Sequence, residues 1–206
     1  MTISIPAGRV GGKTRTRLLL NLPNLLTISR IFVIPIVLVL IVFDEAWARW
    51  TACGLFAAAG ITDFFDGYLA RRSNMVSALG RFLDPIADKL LVVAVLFLVV
   101  ALPGRVNEWS LFPALVILLR EIMVSGLREF LAELQVRLPV SKLAKFKTTV
   151  QMVALGFLIV GDAGPDQIPA RFIGEIGIWI AALITLITGY DYLRAGLKHM
   201  AGDARA

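Results

Sequence analysis

The sequence predicts an all-α polytopic membrane protein, six transmembrane helices in one bundle, and composition carries most of that prediction. Apolar residues make up 58% of the 206-residue chain and charged residues only 17%, which excludes a water-soluble domain built around one core. At about 20 apolar residues per crossing, roughly six helices fit and little chain remains for anything else. A further observation says where the bundle works: four carboxylates, Asp63, Asp66, Asp84 and Asp88, stand in this apolar chain. Carboxylates at membrane depth cost on the order of 2.5–3.5 kcal/mol each, so they mark a functional interior.

Three domain-level segments follow: a basic stretch over 1–23, a membrane domain over 24–195 and a polar tail over 196–206. The first holds Arg9, Lys13, Arg15 and Arg17. A signal peptide needs a continuous apolar core after such charges, and Asn21, Pro23 and Asn24 break it. The stretch reads either as an interfacial helix on the cytoplasmic face or as disordered chain.

Span 1 is expected from about 24 to 43, and its first part places Asn24, Thr27 and Arg30 close to one face. Arg30, just inside the span, either faces a cavity or snorkels outward. The short acidic loop Asp44-Glu45 leads to span 2, about 47 to 70, which ends in the first carboxylate pair. Span 3, about 81 to 102, begins with the second pair, so the site belongs at one end of the bundle. Trp47, Trp50 and Trp109 fall at the opposite span ends, as interfacial aromatics do.

Span 4, about 110 to 134, contains Arg120, Glu121, Arg128 and Glu129. Arg120 lies roughly 15 Å along the helix, too deep to snorkel easily. Arg120 and Arg128 share a face, and either point to the carboxylate cavity and an anionic substrate or pair internally with Glu121 and Glu129. A loop from 137 to 147 follows, with Lys142, Lys145 and Lys147; these serve as positive-inside signals or as point charges for a phosphate. Span 5 runs to about 160, and span 6 from about 172 to 190, after a Gly/Pro-rich acidic turn.

Charge sets the orientation. Three loops on one side carry Arg49, Arg105 and Arg171 against five acidic residues, while nearly all other basic residues fall on the side of the carboxylates and both termini. That side is expected to be cytoplasmic, in an inner or plasma membrane. The net charge of +6 therefore fits topology and anionic headgroups, and no nucleic-acid partner is expected. The single cysteine, Cys53, permits no intrachain disulfide and reads as a small buried hydrophobe. His199, the only histidine, has nothing near it to complete a site.

Asp63 and Asp66 are i,i+3 on one helix, and Gly67, Ala70 and Arg71 follow on the same face; Asp84 and Asp88 are i,i+4 on the next. Two helices that each offer a carboxylate pair can converge on divalent cations, which take hard oxygen ligands. Gly67 and Ala70 leave that face nearly bare, so a bulky ligand can approach the backbone. Paired metals suit an in-line phosphoryl displacement, with lipid entering sideways and a soluble reactant from the cytosol.

The pattern Asp63-x-x-Asp66-Gly67-x-x-Ala70-Arg71, eight intervening residues, then Gly80-x-x-x-Asp84-x-x-x-Asp88 resembles the signature of the CDP-alcohol phosphotransferase family at every fixed position. The resemblance implies transfer of a phosphatidyl group from a CDP-linked lipid to an alcohol with release of CMP, using Mg2+ or Mn2+, two ions, in a homodimer. It makes Asp63, Asp66, Asp84 and Asp88 the metal ligands and Asp88 also the base. Asp63, Gly67, Ala70 and Arg71, with Asn24 and Thr27, would bind the CDP-lipid. The stretches around Arg30, Arg120 to Glu133 and Lys145 to Met152 are similar to the glycerol-3-phosphate-using branch. On that likeness CDP-diacylglycerol and glycerol 3-phosphate are the substrates, and Arg120, Arg128, Lys145 and Lys147 grip the acceptor phosphate, with Lys142 a weaker candidate. A sibling acceptor, inositol phosphate or phosphatidylglycerol, is the nearer alternative. A cation or proton transporter is the remote one, since it predicts helices broken near the midplane.

Overall fold

A computed structural model of the chain describes residues 22–73, 78–134, 136 and 141–203. The basic N-terminal stretch before Leu22 lies outside the described residues. All regular structure among them is helical: α1 (Leu22–Phe43), α2 (Ala46–Ser73), α3 (Ala78–Ala101), α4 (Leu111–Glu133), α5 (Lys142–Val160) and α6 (Ala170–Asp203), with short 3-10 turns at Glu108–Ser110 and Gly161–Ala163. Three helical segments, Glu108–Ala132, Lys142–Ala163 and Ala170–Leu197, are long and apolar enough to cross a membrane, and Thr27–Phe43 and Lys89–Ala101 are shorter apolar stretches.

The helices run alternately up and down, and a latch at one end shows it. Arg105, in the connection after α3, donates to the carbonyls of Ile41 at 2.6 Å and Ile159 at 3.3 Å, and forms an ion pair with Asp44 at 2.7 Å. Arg49 at the start of α2 also holds Asp44, at 2.8 Å through Nε, and reaches the Val160 carbonyl at 3.4 Å. Trp50 donates to Ala163 O at 3.0 Å, and the Asn107 N–H to Glu175 at 2.7 Å. The ends of α1, α3 and α5 and the starts of α2, α4 and α6 therefore meet there. Asp44 makes the two-residue turn possible by adopting φ of 59°, a left-handed conformation that Asp tolerates better than most residues. Its carboxyl is held below the usual carboxylate range, chiefly by the Arg49 hydrogen bond and then by the charges of Arg105 and Arg49, against a partial burial that acts the other way. Burial, and secondly the Arg49 charge, lower the Arg105 guanidinium from its ordinary value.

Inside, one apolar core draws on every helix, from Val37 and Ile41 through Phe56, Leu91, Val95, Val99, Ile117, Leu155 and Leu158 to Ile178. Outside, Phe32, Phe97, Ile122, Trp179, Leu183 and Leu186 are exposed. A bundle apolar on both its inner and outer faces belongs in lipid. Where hydrophobic burial gives no preference between helix and lipid, close packing decides. At Gly177 of α6 an added Cβ would stand 2.6 Å from Ala154 Cβ of α5, so these antiparallel helices touch along their backbones.

Two element ends differ from the sequence reading. The expected 137–147 loop gives way to helix at Lys142, because the Ser141 hydroxyl accepts from the Ala144 N–H at 3.1 Å and caps α5. Lys145 and Lys147 are thus helical. Span 6, expected to end near 190, continues as α6 to Asp203, since no proline interrupts Tyr190 to Asp203.

Candidate active site

At the end of the bundle opposite the latch, Asp63 and Asp66 occupy the last third of α2, and Asp84 and Asp88 the first half of α3. Both stretches are helical, so each pair keeps the i,i+3 or i,i+4 face-sharing predicted from spacing. The side chains of these four residues, and of Asn24, Gly67, Ala70 and Arg71, lie outside the described residues. Among the described residues no group of three or more Asp, Glu, His or Cys could hold a metal ion.

The register of α2 against α5 sets what stands level with the carboxylates. Cys53 Sγ lies 3.6 Å from Gly156 O, and a Cβ at Gly60 would meet Met152 Cε at 2.6 Å. Counting onward at 1.5 Å per residue, Asp63 and Asp66 lie about 4.5 and 9 Å beyond Gly60, and Lys147 about 7.5 Å beyond Met152 in the same direction.

Lys147 is the centre of the described site. It is 4% exposed, and its Nζ donates to Glu121 Oε1 on α4. Arg120 donates to the same carboxylate oxygen through Nη1 at 3.3 Å and to Thr188 Oγ1 of α6 through Nη2 at 3.1 Å. Its guanidinium stands 5.7 Å from the centroid of the Tyr192 ring, within cation–π range. Gly189 makes room: a Cβ there would meet Arg120 Cγ at 3.2 Å. Two cations and one anion thus converge where α4, α5 and α6 meet, with a surplus positive charge.

Of the four predicted phosphate-binding residues, the fold brings Arg120 and Lys147 together and leaves Arg128 and Lys145 exposed, as it does Lys142. The internal pairing of Arg120 with Glu121 is present, and it recruits Lys147 rather than cancelling Arg120. Thr27 and Arg30, one turn apart on α1, are both buried, Arg30 at 4% exposure. Arg30 therefore faces the interior and does not snorkel. Sequence reasoning missed Gln151, Thr185, Thr188 and Tyr192. The signal available was polar residues at i,i+4 from Lys147 and at i,i+3 within span 6.

This arrangement is an up-down helical bundle with carboxylate pairs on two consecutive helices and buried cations at the same level, the candidate site of a membrane protein. The family model for CDP-alcohol phosphatidyltransferases matches residues 20–187, and the chain belongs to that family. Among curated proteins it is 51% identical over 175 residues to the CDP-diacylglycerol–glycerol-3-phosphate 3-phosphatidyltransferase of Rickettsia typhi, covering 85% of this chain and 96% of that protein. Proteins of the same name from Cereibacter sphaeroides and Pseudomonas fluorescens are 40% and 41% identical, over 87% and 90% of this chain and 97% and 95% of theirs.

Proposed function

We propose that the chain transfers the phosphatidyl group of CDP-diacylglycerol to sn-glycerol 3-phosphate, giving phosphatidylglycerophosphate and CMP. The observation that carries this reading is the buried Lys147–Glu121–Arg120 cluster, level along the bundle with Asp63 and Asp66. A phosphomonoester acceptor needs cations beside the phosphoryl-transfer site. The names of the relatives support the same substrates.

In this reading Asp63, Asp66, Asp84 and Asp88 would hold two divalent cations, Mg2+ or Mn2+; the donor set, all carboxylate oxygen on two adjacent helices, fits such ions. When bound, the ions supply neutralisation of charge on the reacting phosphates. Asp88 takes the proton of the acceptor's C1 hydroxyl, whose oxygen then forms a bond to the phosphorus that bears the diacylglycerol, and the bond from that phosphorus to the CMP oxygen breaks. Asp63, Gly67, Ala70 and Arg71, with Asn24 and Thr27, bind the CDP-lipid. Lys147 and Arg120 bind the phosphate of the acceptor and fix its distance from the reacting phosphorus. Exposed Arg128 and Lys145 draw the dianion toward them.

The six helices are six membrane spans, with the carboxylate end and both termini on the cytoplasmic side of an inner or plasma membrane. The excess of Lys and Arg at that end supports this orientation. The homodimer implied by the family resemblance is part of the same proposal. The reading is tested by mass spectrometry of the lipid that purified protein makes from CDP-diacylglycerol, glycerol 3-phosphate and a divalent cation. Phosphatidylglycerophosphate, lost on chelation, is expected; a different lipid, or none, contradicts it.

A further inference from the structure

Three polar atoms deep in the bundle have no hydrogen-bond partner: Arg120 Nε on α4, Gln151 Oε1 on α5 and Thr185 Oγ1 on α6. They border the Lys147–Glu121–Arg120 cluster at different depths. Gln151 lies one turn along α5 from Lys147, and Thr185 one turn along α6 from Thr188, the residue to which Arg120 is bonded. From the Gly177–Ala154 contact, Thr185 and Lys147 lie about 12 and 10.5 Å onward in the same direction, so the two are level.

Gln151 is 2% exposed and Thr185 fully buried. A buried polar atom left unpaired costs on the order of 1–3 kcal/mol, so a polar partner that reaches these atoms is favoured. Their chemistry limits what that is. Lys147 and Arg120 offer donors, which a phosphate oxygen accepts. An amide oxygen can only accept, and an ionised phosphate has no proton to give it. A phosphate that carries a hydroxyl group nearby meets both demands.

Resting on the acceptor proposed above, we infer that Gln151 Oε1 accepts a hydrogen bond from the non-reacting C2 hydroxyl of glycerol 3-phosphate while Lys147 and Arg120 hold its phosphate. Gln151 is then the residue that makes the site select a glycerol phosphate over a phosphate of similar length without that hydroxyl. Lys147 and Gln151 are separated by about 6 Å of helix rise, so the long lysine side chain and the shorter amide reach different parts of one small molecule.

The test compares glycerol 3-phosphate with 3-hydroxypropyl phosphate, which lacks only the C2 hydroxyl, as acceptors for the purified protein. The wild type is expected to prefer glycerol 3-phosphate by roughly tenfold or more in kcat/KM, the worth of one hydrogen bond to a buried acceptor. In Gln151→Met, of similar length and without the amide, the two acceptors are expected to reach parity, with the KM for CDP-diacylglycerol unchanged. Equal use of both by the wild type, or a full preference kept by Gln151→Met, would overturn the inference; a bound water in place of the hydroxyl gives the first of these. Should Gln151→Met not elute as a folded species, Gln151→Leu takes its place, with parity expected again and a full preference overturning the inference. Failure of the wild type with both acceptors, in folded protein with metal present, would instead remove the proposed function and this inference with it.

Discussion

Lys147 of α5 donates to Glu121 of α4, and both side chains lie inside the bundle. A cation buried in this way needs its anion, since an unpaired charge at that depth is costly. Arg120 shares the same carboxylate oxygen, so the cluster keeps one positive charge beyond what Glu121 neutralises. Phosphate recognition is a use for that surplus.

Lys147→Ala is expected to raise the KM for glycerol 3-phosphate roughly 10- to 100-fold, in line with about 1.5–3 kcal/mol for a charge-assisted hydrogen bond. The KM for CDP-diacylglycerol is expected to change far less. Steady-state kinetics with each substrate varied in turn separates the two; equal effects on both would remove the phosphate role from Lys147.

Asp88→Asn keeps shape and removes the base. Turnover is expected to fall by at least 10²–10⁴-fold, with the thermal unfolding midpoint in detergent near that of the wild type. Turnover close to wild type would end the role assigned to Asp88.

The latch at the other end predicts stability effects without catalytic ones. Arg105→Ala leaves the carbonyls of Ile41 and Ile159 without their donor, at about 1–3 kcal/mol for each buried group left unmade. A lowered unfolding midpoint is expected, with turnover per folded molecule kept. A midpoint equal to wild type would mean that other groups satisfy these carbonyls.

Asp44 gives that latch a pH dependence. Its folded pKa is depressed, so its contribution to stability is present above the unfolded carboxylate value, about 3.9, and is lost as pH falls through the folded value. Asp44→Asn is expected to melt below wild type at pH 7, and the gap to close as pH is taken below about 4. A gap that persists in acid would assign the effect to geometry and not to charge.

Gly177→Val tests the α5–α6 contact. Its Cβ would stand 2.6 Å from Ala154 Cβ, and overpacking of this kind costs about 1–3 kcal/mol. Differential scanning measurements should show the loss, and Ala154→Gly in the same chain should restore part of it.

Much of this was legible beforehand because the relevant signals are periodic or local. Apart from the start of α5 and the end of α6, the helices lie within a few residues of the apolar runs that announce them, and the aspartate spacing survives as shared helix faces in α2 and α3. What the chain order hides is contact between distant helices. Nothing near Lys147 in sequence says that its partner is Glu121, 26 residues earlier, or that Thr188 and Tyr192 close over Arg120. The start of α5 departs from expectation for a different reason. The lysines suggest a loop, whereas the capping hydroxyl of Ser141, one residue before them, is the stronger local signal.

The most direct test is CMP release by the purified protein with CDP-diacylglycerol and a divalent cation, comparing glycerol 3-phosphate, inositol 1-phosphate and phosphatidylglycerol as acceptors. Release with glycerol 3-phosphate alone is predicted. Release with either of the others in its place would contradict the acceptor assigned to Lys147 and Arg120.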